Sequence, residues 1–278
     1  MPSALVILAG CSLLTDLNGL SGGGGGGGPP ADGGSSTGDA LSVSAEGSAG
    51  DAGDASSGDA LVEASGCARY PTATFCADFD GTNPLAVPPW TENEAIEPTP
   101  PGTIALTASD PISPSSAARI ELAKSMTPCR YLRLVKKLPG TFGNVRAHVA
   151  MRAEDPEVLF ALSVTVSPTL GFTLLIALNG GTLVHFFAQQ NLNGNMTQIG
   201  DDNVDLDQPW PGRWLDVTVE YTSVPTKSAS VTVAGGRKLV IPLPATFVAT
   251  DPATSIGPFC ANAVTRATYD DFALWVTP

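Results

Sequence analysis

Residues 172–189, FTLLIALNGGTLVHFFAQ, decide the fold. Two apolar runs of strand length flank Asn179-Gly180-Gly181, residue types that accept the positive φ a tight hairpin turn demands. In the second run Val184, Phe186 and Ala188 fall on one face and His185, Phe187 and Gln189 on the other, which is the period-two pattern of a half-buried strand. An antiparallel hairpin follows.

Working outward, similar runs recur at 75–80, 102–107, 117–122, 131–138, 144–152, 158–166, 213–221, 229–234 and 268–276, broken by Gly, Pro, Asn and Asp. No stretch of ten residues carries a helical apolar stripe. Short strands at this spacing predict an all-β, two-sheet antiparallel sandwich. Within 145–152, Val145, Ala147, Val149 and Met151 are the core phase, so Arg146, His148 and Arg152 point outward. Asp216, Thr218 and Glu220 stand opposite Leu215, Val217 and Val219 in the same way. One sheet face is then expected to gather Arg146, His148, His185, Phe187 and Gln189 into a surface suited to sugar hydroxyls, an ordinary mixed exposed face being the alternative. Trp90 and Trp210 lie in Pro-rich loops and are candidates to stack on sugars, with buried loop anchoring as the other reading. Trp214 and Trp275 are assigned to packing.

Composition separates this domain from what precedes it. The 278 residues carry a formal charge of −13, which repels phosphate backbones and argues against nucleic-acid binding. Residues 12–66 hold eight acidic residues and no Lys or Arg, an unbroken Gly22 to Gly28 run and Pro29-Pro30. Such a segment buries too little apolar surface to offset chain entropy and is expected to be a disordered linker, with a root-mean-square reach of about 40 Å. All 14 basic residues lie in 67–278, beside 19 acidic ones. No run approaches the ~20 apolar residues needed to span a bilayer.

The start, residues 1–11, is apolar and ends Leu8-Ala9-Gly10-Cys11, which resembles the lipobox of bacterial lipoproteins. That resemblance implies cleavage before Cys11, its lipidation, and anchoring to a bilayer. Ser12 favours the outer membrane. The missing basic n-region predicts a truncated start. Four cysteines remain, an even number in a chain bound for an oxidising compartment. Of three connectivities, Cys67–Cys76 as a local staple with Cys129–Cys260 closing a long loop is preferred. A zinc site competes, but there is no Cys-x-x-Cys and there are only two histidines.

Phe75-Cys76-Ala77-Asp78-Phe79-Asp80-Gly81, Trp214-Leu215-Asp216-Val217-Thr218-Val219-Glu220-Tyr221 and Tyr269-Asp270-Asp271-Phe272-Ala273-Leu274-Trp275-Val276 together resemble concanavalin A-like lectin/glucanase jelly rolls, including laminin-G-like domains. The resemblance spans nearly all of 67–278 and implies that the first and last strands pair. It also places Asp270, near Asp78 and Asp80, where related glucanases hold a structural calcium ion. Endoglucanases of the fold carry Glu-x-Asp-x-(x)-Glu on one strand, because two carboxyls must lie about 5–5.5 Å apart for retention. No such strand exists here. Glu154-Asp155-Pro156-Glu157 and the acidic run from Asp201 to Asp207 read as solvated loops, and the histidine motifs match those of lyases only loosely. The expectation is therefore a monomeric, non-catalytic, envelope-tethered lipoprotein that needs no cofactor and binds a carbohydrate or another envelope component. A glycan-cleaving lyase or hydrolase and a structural or protein-adhesion domain are the alternatives.

Overall fold

The computed structural model describes residues 66–95, 102–123, 131–154, 158–167, 170–179, 181–193, 195–233, 238–259 and 264–278. The expected signal segment, the linker before Gly66, Cys11, and the Cys129–Cys260 pair lie outside these residues. Among the described residues no helix is long and apolar enough to cross a membrane.

A short 3-10 turn, Gly66–Arg69, leads into β1 (Phe75–Ala77), β2 (Glu92–Ala95), β3 (Gly102–Thr107), β4 (Ala117–Leu122), β5 (Leu132–Lys137) and β6 (Thr141–Phe142). Long strands follow: β7 (Asn144–Ala153), β8 (Val158–Ser167), β9 (Leu170–Asn179), β10 (Leu183–Leu192) and β11 (Asn195–Asp205). The chain ends with β12 (Leu215–Thr222), β13 (Ser228–Val233), β14 (Leu239–Pro242), β15 (Ala249–Thr250), β16 (Ala253–Phe259) and β17 (Thr265–Thr277).

These strands form a concanavalin A-like antiparallel sandwich. One sheet has eight strands, ordered β14-β13-β12-β7-β17-β4-β3 with β1 beside β17, and the other has seven, ordered β11-β10-β9-β8-β16-β5-β2. A small β15-β6 ribbon completes the described sheets. The expected pairing of first and last strands is present, with Phe75 opposite Leu274.

The core lies between the sheets and obeys the alternation. Val145, Ala147, Val149 and Met151 of β7 and Leu215, Val217, Val219 and Tyr221 of β12 meet Phe172, Leu174 and Ile176 of β9 and Val184, Phe186 and Ala188 of β10. Each of the larger aliphatic and phenylalanine side chains contributes about 1.5–3 kcal/mol by leaving water, the alanines about 0.8 kcal/mol.

Trp90 and Trp210 are 1% and 2% exposed, so both are interior anchors and cannot stack on a sugar. Phe75, Phe79 and Phe272 surround Trp90 with centroids 5.2–6.2 Å away, and its Nε1–H donates to the Pro84 carbonyl at 3.0 Å. Rings that bury some 150–250 Å² each are drawn inward even from a Pro-rich loop. The acidic run 201–207 is also not a loop throughout, because β11 extends to Asp205. As the outermost strand it pairs only with β10, and its aspartates guard the open edge against pairing with another chain.

β16 runs through the sheet centre despite Gly257 and Pro258. Gly257 has φ +131°, and a Cβ there would collide with the Leu132 carbonyl and with Arg133 Cα, so glycine is required where the strands close up.

Candidate functional site

The expected single face does not exist. His148 lies on β7 of the eight-stranded sheet and His185 on β10 of the seven-stranded sheet, each pointing away from the shared core, so they occupy opposite sides of the sandwich. Alternation tells inward from outward but not which sheet a strand joins, and the chain changes sheets between β7 and β8.

On the seven-stranded sheet, β10 presents His185, Phe187 and Gln189 on its outer phase. Their cross-strand partners are Ala177, Leu175 and Thr173 on β9. On β11, Asn203 stands opposite His185 and Asp201 opposite Phe187. His185 Nε2 lies 3.4 Å from Asp201 Oδ2, and this nitrogen is buried with no hydrogen-bond partner. The His185 ring sits 4.9 Å from Phe187, which is itself only 2% exposed. Following the register inward, the row through Gln189 continues to Thr173, Ser163, Ala253 and Lys137. The row through Phe187 continues to Leu175, Ala161, Ser255 and Val135. Alanine and serine thus occupy the middle register positions between larger residues on β10 and β5. At about 4.8 Å per strand, the step from β10 to β5 covers roughly 19 Å.

On the eight-stranded sheet, His148 stands between Thr218 of β12 and Ala273 of β17. Its Nδ1 lies 3.0 Å from Thr218 Oγ1, and its Nε2 is 3.8 Å from Asp216 Oδ1, without a hydrogen bond. Tyr70 covers it with ring centroids 5.4 Å apart. Burial holds the His148 pKa below the ordinary histidine value, the Asp216 carboxylate opposing and the Arg146 and Arg69 charges adding to the effect. Burial likewise raises Tyr70, helped by Asp271.

Arg146 and Arg152 point outward as expected, but each stacks on a tryptophan assigned to packing. Arg146 lies 4.9 Å from the Trp275 ring and Arg152 lies 5.0 Å from Trp214. Arg152 also pairs with Asp110 Oδ2 at 2.6 Å.

β17 carries a bulge between Asp270 and Ala273, with Asp271 in the left-handed region at φ +49°. The extra residue lets Phe272 and Leu274 return to the core while both aspartates reach loops. Asp270 accepts from the backbone N–H of Ile112 (3.1 Å), Ser113 (2.9 Å) and Asp271 (2.8 Å) and from the Ser113 hydroxyl (2.9 Å). Burial raises its pKa to about 6, those donors pulling the other way. Asp78 accepts from the Cys67 and Asp80 N–H groups, and Asp80 from those of Ser115 and Ser116. These three carboxylates therefore serve as loop anchors. Among the described residues no three His, Cys, Asp or Glu side chains converge as a metal would require.

The Cys67–Cys76 disulfide is formed, with Cα atoms 5.7 Å apart. It places the domain in an oxidising, extracytoplasmic setting. Tyr70, Asp201 and Asp271 were not singled out as site residues, since nothing local marks a tyrosine inside a disulfide ring or an edge-strand aspartate that meets a histidine one strand away.

The geometry defines a class, the concanavalin A-like sandwich with a polar sheet face. No family model matches the chain, and no curated protein matches it either. Among solved structures it is similar to an endo-β-1,4-glucuronan lyase from the fungus Trichoderma reesei, at 10% identity over 69% of this chain and 92% of that one, with a TM-score of 0.50. A cellulose-induced protein matches at 12% identity over 67% of this chain and 92% of its own, with a TM-score of 0.46. At such identities the likeness establishes the fold alone.

Proposed function

We propose that residues 67–278 form a non-catalytic carbohydrate-binding domain, tethered to the cell envelope through a lipidated Cys11, and that an extended glycan lies across the outer face of the seven-stranded sheet. The observation that carries this reading is the pair of polar side chains His185 and Gln189 on the outer phase of β10, with Asp201 Oδ2 3.4 Å from His185 Nε2, a nitrogen without a hydrogen-bond partner. An imidazole beside a carboxylate, with an amide further along the same strand face, supplies the kinds of donor and acceptor that sugar hydroxyls use. A register row of roughly 19 Å from β10 to β5 suits a chain rather than a compact ligand. The fold's occurrence in a glucuronan lyase fits a polysaccharide ligand.

The His185–Asp201 contact favours a second reading, a lyase in which His185 removes a proton from the sugar. A glycan array run alongside assays for reducing ends and unsaturated products separates the two. Binding without turnover, weakened in His185→Ala and Gln189→Ala, is expected. Product formation that disappears in His185→Ala would establish the lyase instead, and silence in both assays would leave a structural or adhesion role.

A further inference from the structure

Residues 66–74 cross the outer face of the eight-stranded sheet as a strap. Arg69 Nη1 pairs with Asp271 Oδ2 at 2.7 Å. Tyr70 packs on His148 and, edge-on at 5.7 Å, on Trp275. Thr72 Oγ1 accepts from Trp275 Nε1, and Thr74 bonds to Leu274 and Val276 of β17. Beneath the strap two buried polar atoms, His148 Nε2 and Asp271 Oδ1, have no hydrogen-bond partner. Water would satisfy both if the strap lifted, so its closed position works against their hydration.

Lifting is opposed by these contacts and, covalently, by a disulfide. Cys67 in the 3-10 turn is joined to Cys76 in β1, and Cys76 stands opposite Ala273, itself opposite His148. Both cysteines are half-buried rather than enclosed in the core. The sandwich core lies on the other side of the sheet and does not include the strap.

We propose that the Cys67–Cys76 disulfide is a redox-controlled clasp, and that its reduction lifts the strap and uncovers His148 beside the already half-exposed Asp216. A dithiol reductant attacks one sulfur and forms a mixed disulfide, releasing the other cysteine as a thiolate that takes up a proton. The reductant's second thiol then displaces the first cysteine, leaving two cysteine thiols and one oxidised dithiol. By the loop-entropy relation, cutting a ring of about ten residues shifts the open-to-closed ratio by up to roughly 90-fold.

The test uses the chain's only two histidines, His148 and His185, as paired reporters. Diethyl pyrocarbonate acylation of each is followed by peptide mass spectrometry in the wild type and in Cys67→Ser/Cys76→Ser, which leaves Cys129 and Cys260 untouched. The His148 rate should rise about tenfold or more, within that entropic bound, with the His185 rate unchanged. An unchanged His148 rate overturns the proposal, and so does a joint rise at both histidines, which would mean general loosening. If the double variant does not fold, the wild type treated with a dithiol and alkylated decides the matter. Alkylation at Cys67 and Cys76 with faster His148 acylation upholds the clasp. Alkylation there without that change, or resistance of the disulfide to the dithiol, overturns it.

Discussion

Replacing Asp270 by Ala should destabilise the domain by about 3–4 kcal/mol, because a fully buried carboxylate there accepts four hydrogen bonds. Truncation strands the N–H groups of Ile112, Ser113 and Asp271, and each buried donor left unsatisfied costs about 1–3 kcal/mol. Ile112 is 38% exposed, so water reaches the loop and rescues part of its loss. Two donors at roughly 1.5–2 kcal/mol each give the figure quoted. For a domain of this size a 1 kcal/mol loss lowers Tm by about 2–4 °C, so a fall of roughly 6–16 °C is expected. Urea unfolding followed by tryptophan fluorescence at pH 8, where the carboxyl is ionised, and calorimetry under the same conditions measure it. Asp270→Asn, which keeps one acceptor oxygen but turns an amide NH2 toward donors, should lose about half as much. The reasoning is refuted if Asp270→Ala costs under about 1 kcal/mol, or if Asp270→Asn matches the wild type, since the bulge would then hold its shape without the carboxylate.

Trp90→Ala should cost about 3–5 kcal/mol, the range for emptying an aromatic site, and a near-neutral Tm would show that Trp90 is not the interior anchor. His185→Ala should weaken binding on a glycan array with Tm nearly unchanged, whereas His148→Ala should leave that affinity intact because it lies on the other sheet; equal losses would place the ligand elsewhere. His148 favours its neutral form in the fold, so its contribution is complete above the ordinary value of about 6.5 and is lost as pH falls through that value. Asp270, raised to about 6, acts in the opposite sense, so the readout is the difference between wild type and His148→Gln from pH 7.5 to 5, and identical Tm profiles would refute it. Radiolabelled palmitate should enter the protein only when Cys11 is present; equal labelling in Cys11→Ser would remove the tether.

Much of the sandwich is legible because period-two alternation is a local property. Strands 102–107 and 117–122 appear with the expected bounds, and the inward phases of β7, β10 and β12 are those that alternation assigns. What escapes is non-local. β11 reads as a loop because Asp201, Asp202 and Asp205 disfavour strands in general, yet an outermost strand tolerates and uses them. β16 is absent from the strand-like runs, and the closeness of Leu132 and Arg133 that requires Gly257 there is non-local. The candidate site was split for the same reason. The phase of His148 and of His185 is written locally, but sheet membership depends on crossings that no alternation records. Tyr70 over His148 joins residues 78 positions apart, and Trp90 finds ring partners on β1 and β17.

β17 lies inside the eight-stranded sheet, bonded to β7, β4 and β1. For a chain emerging from the ribosome or threading through a membrane pore, this means that the sheet has a gap at its middle until the final strand arrives. β1 must wait some 200 residues for its partner, a long closure that slows folding. Vectorial synthesis therefore cannot finish this domain piece by piece. The eight-stranded sheet stays open until β17 has been made, which suits a chain that crosses a bilayer unfolded. A chain cut short before β17 leaves β7 and β4 as exposed edges and is prone to aggregate.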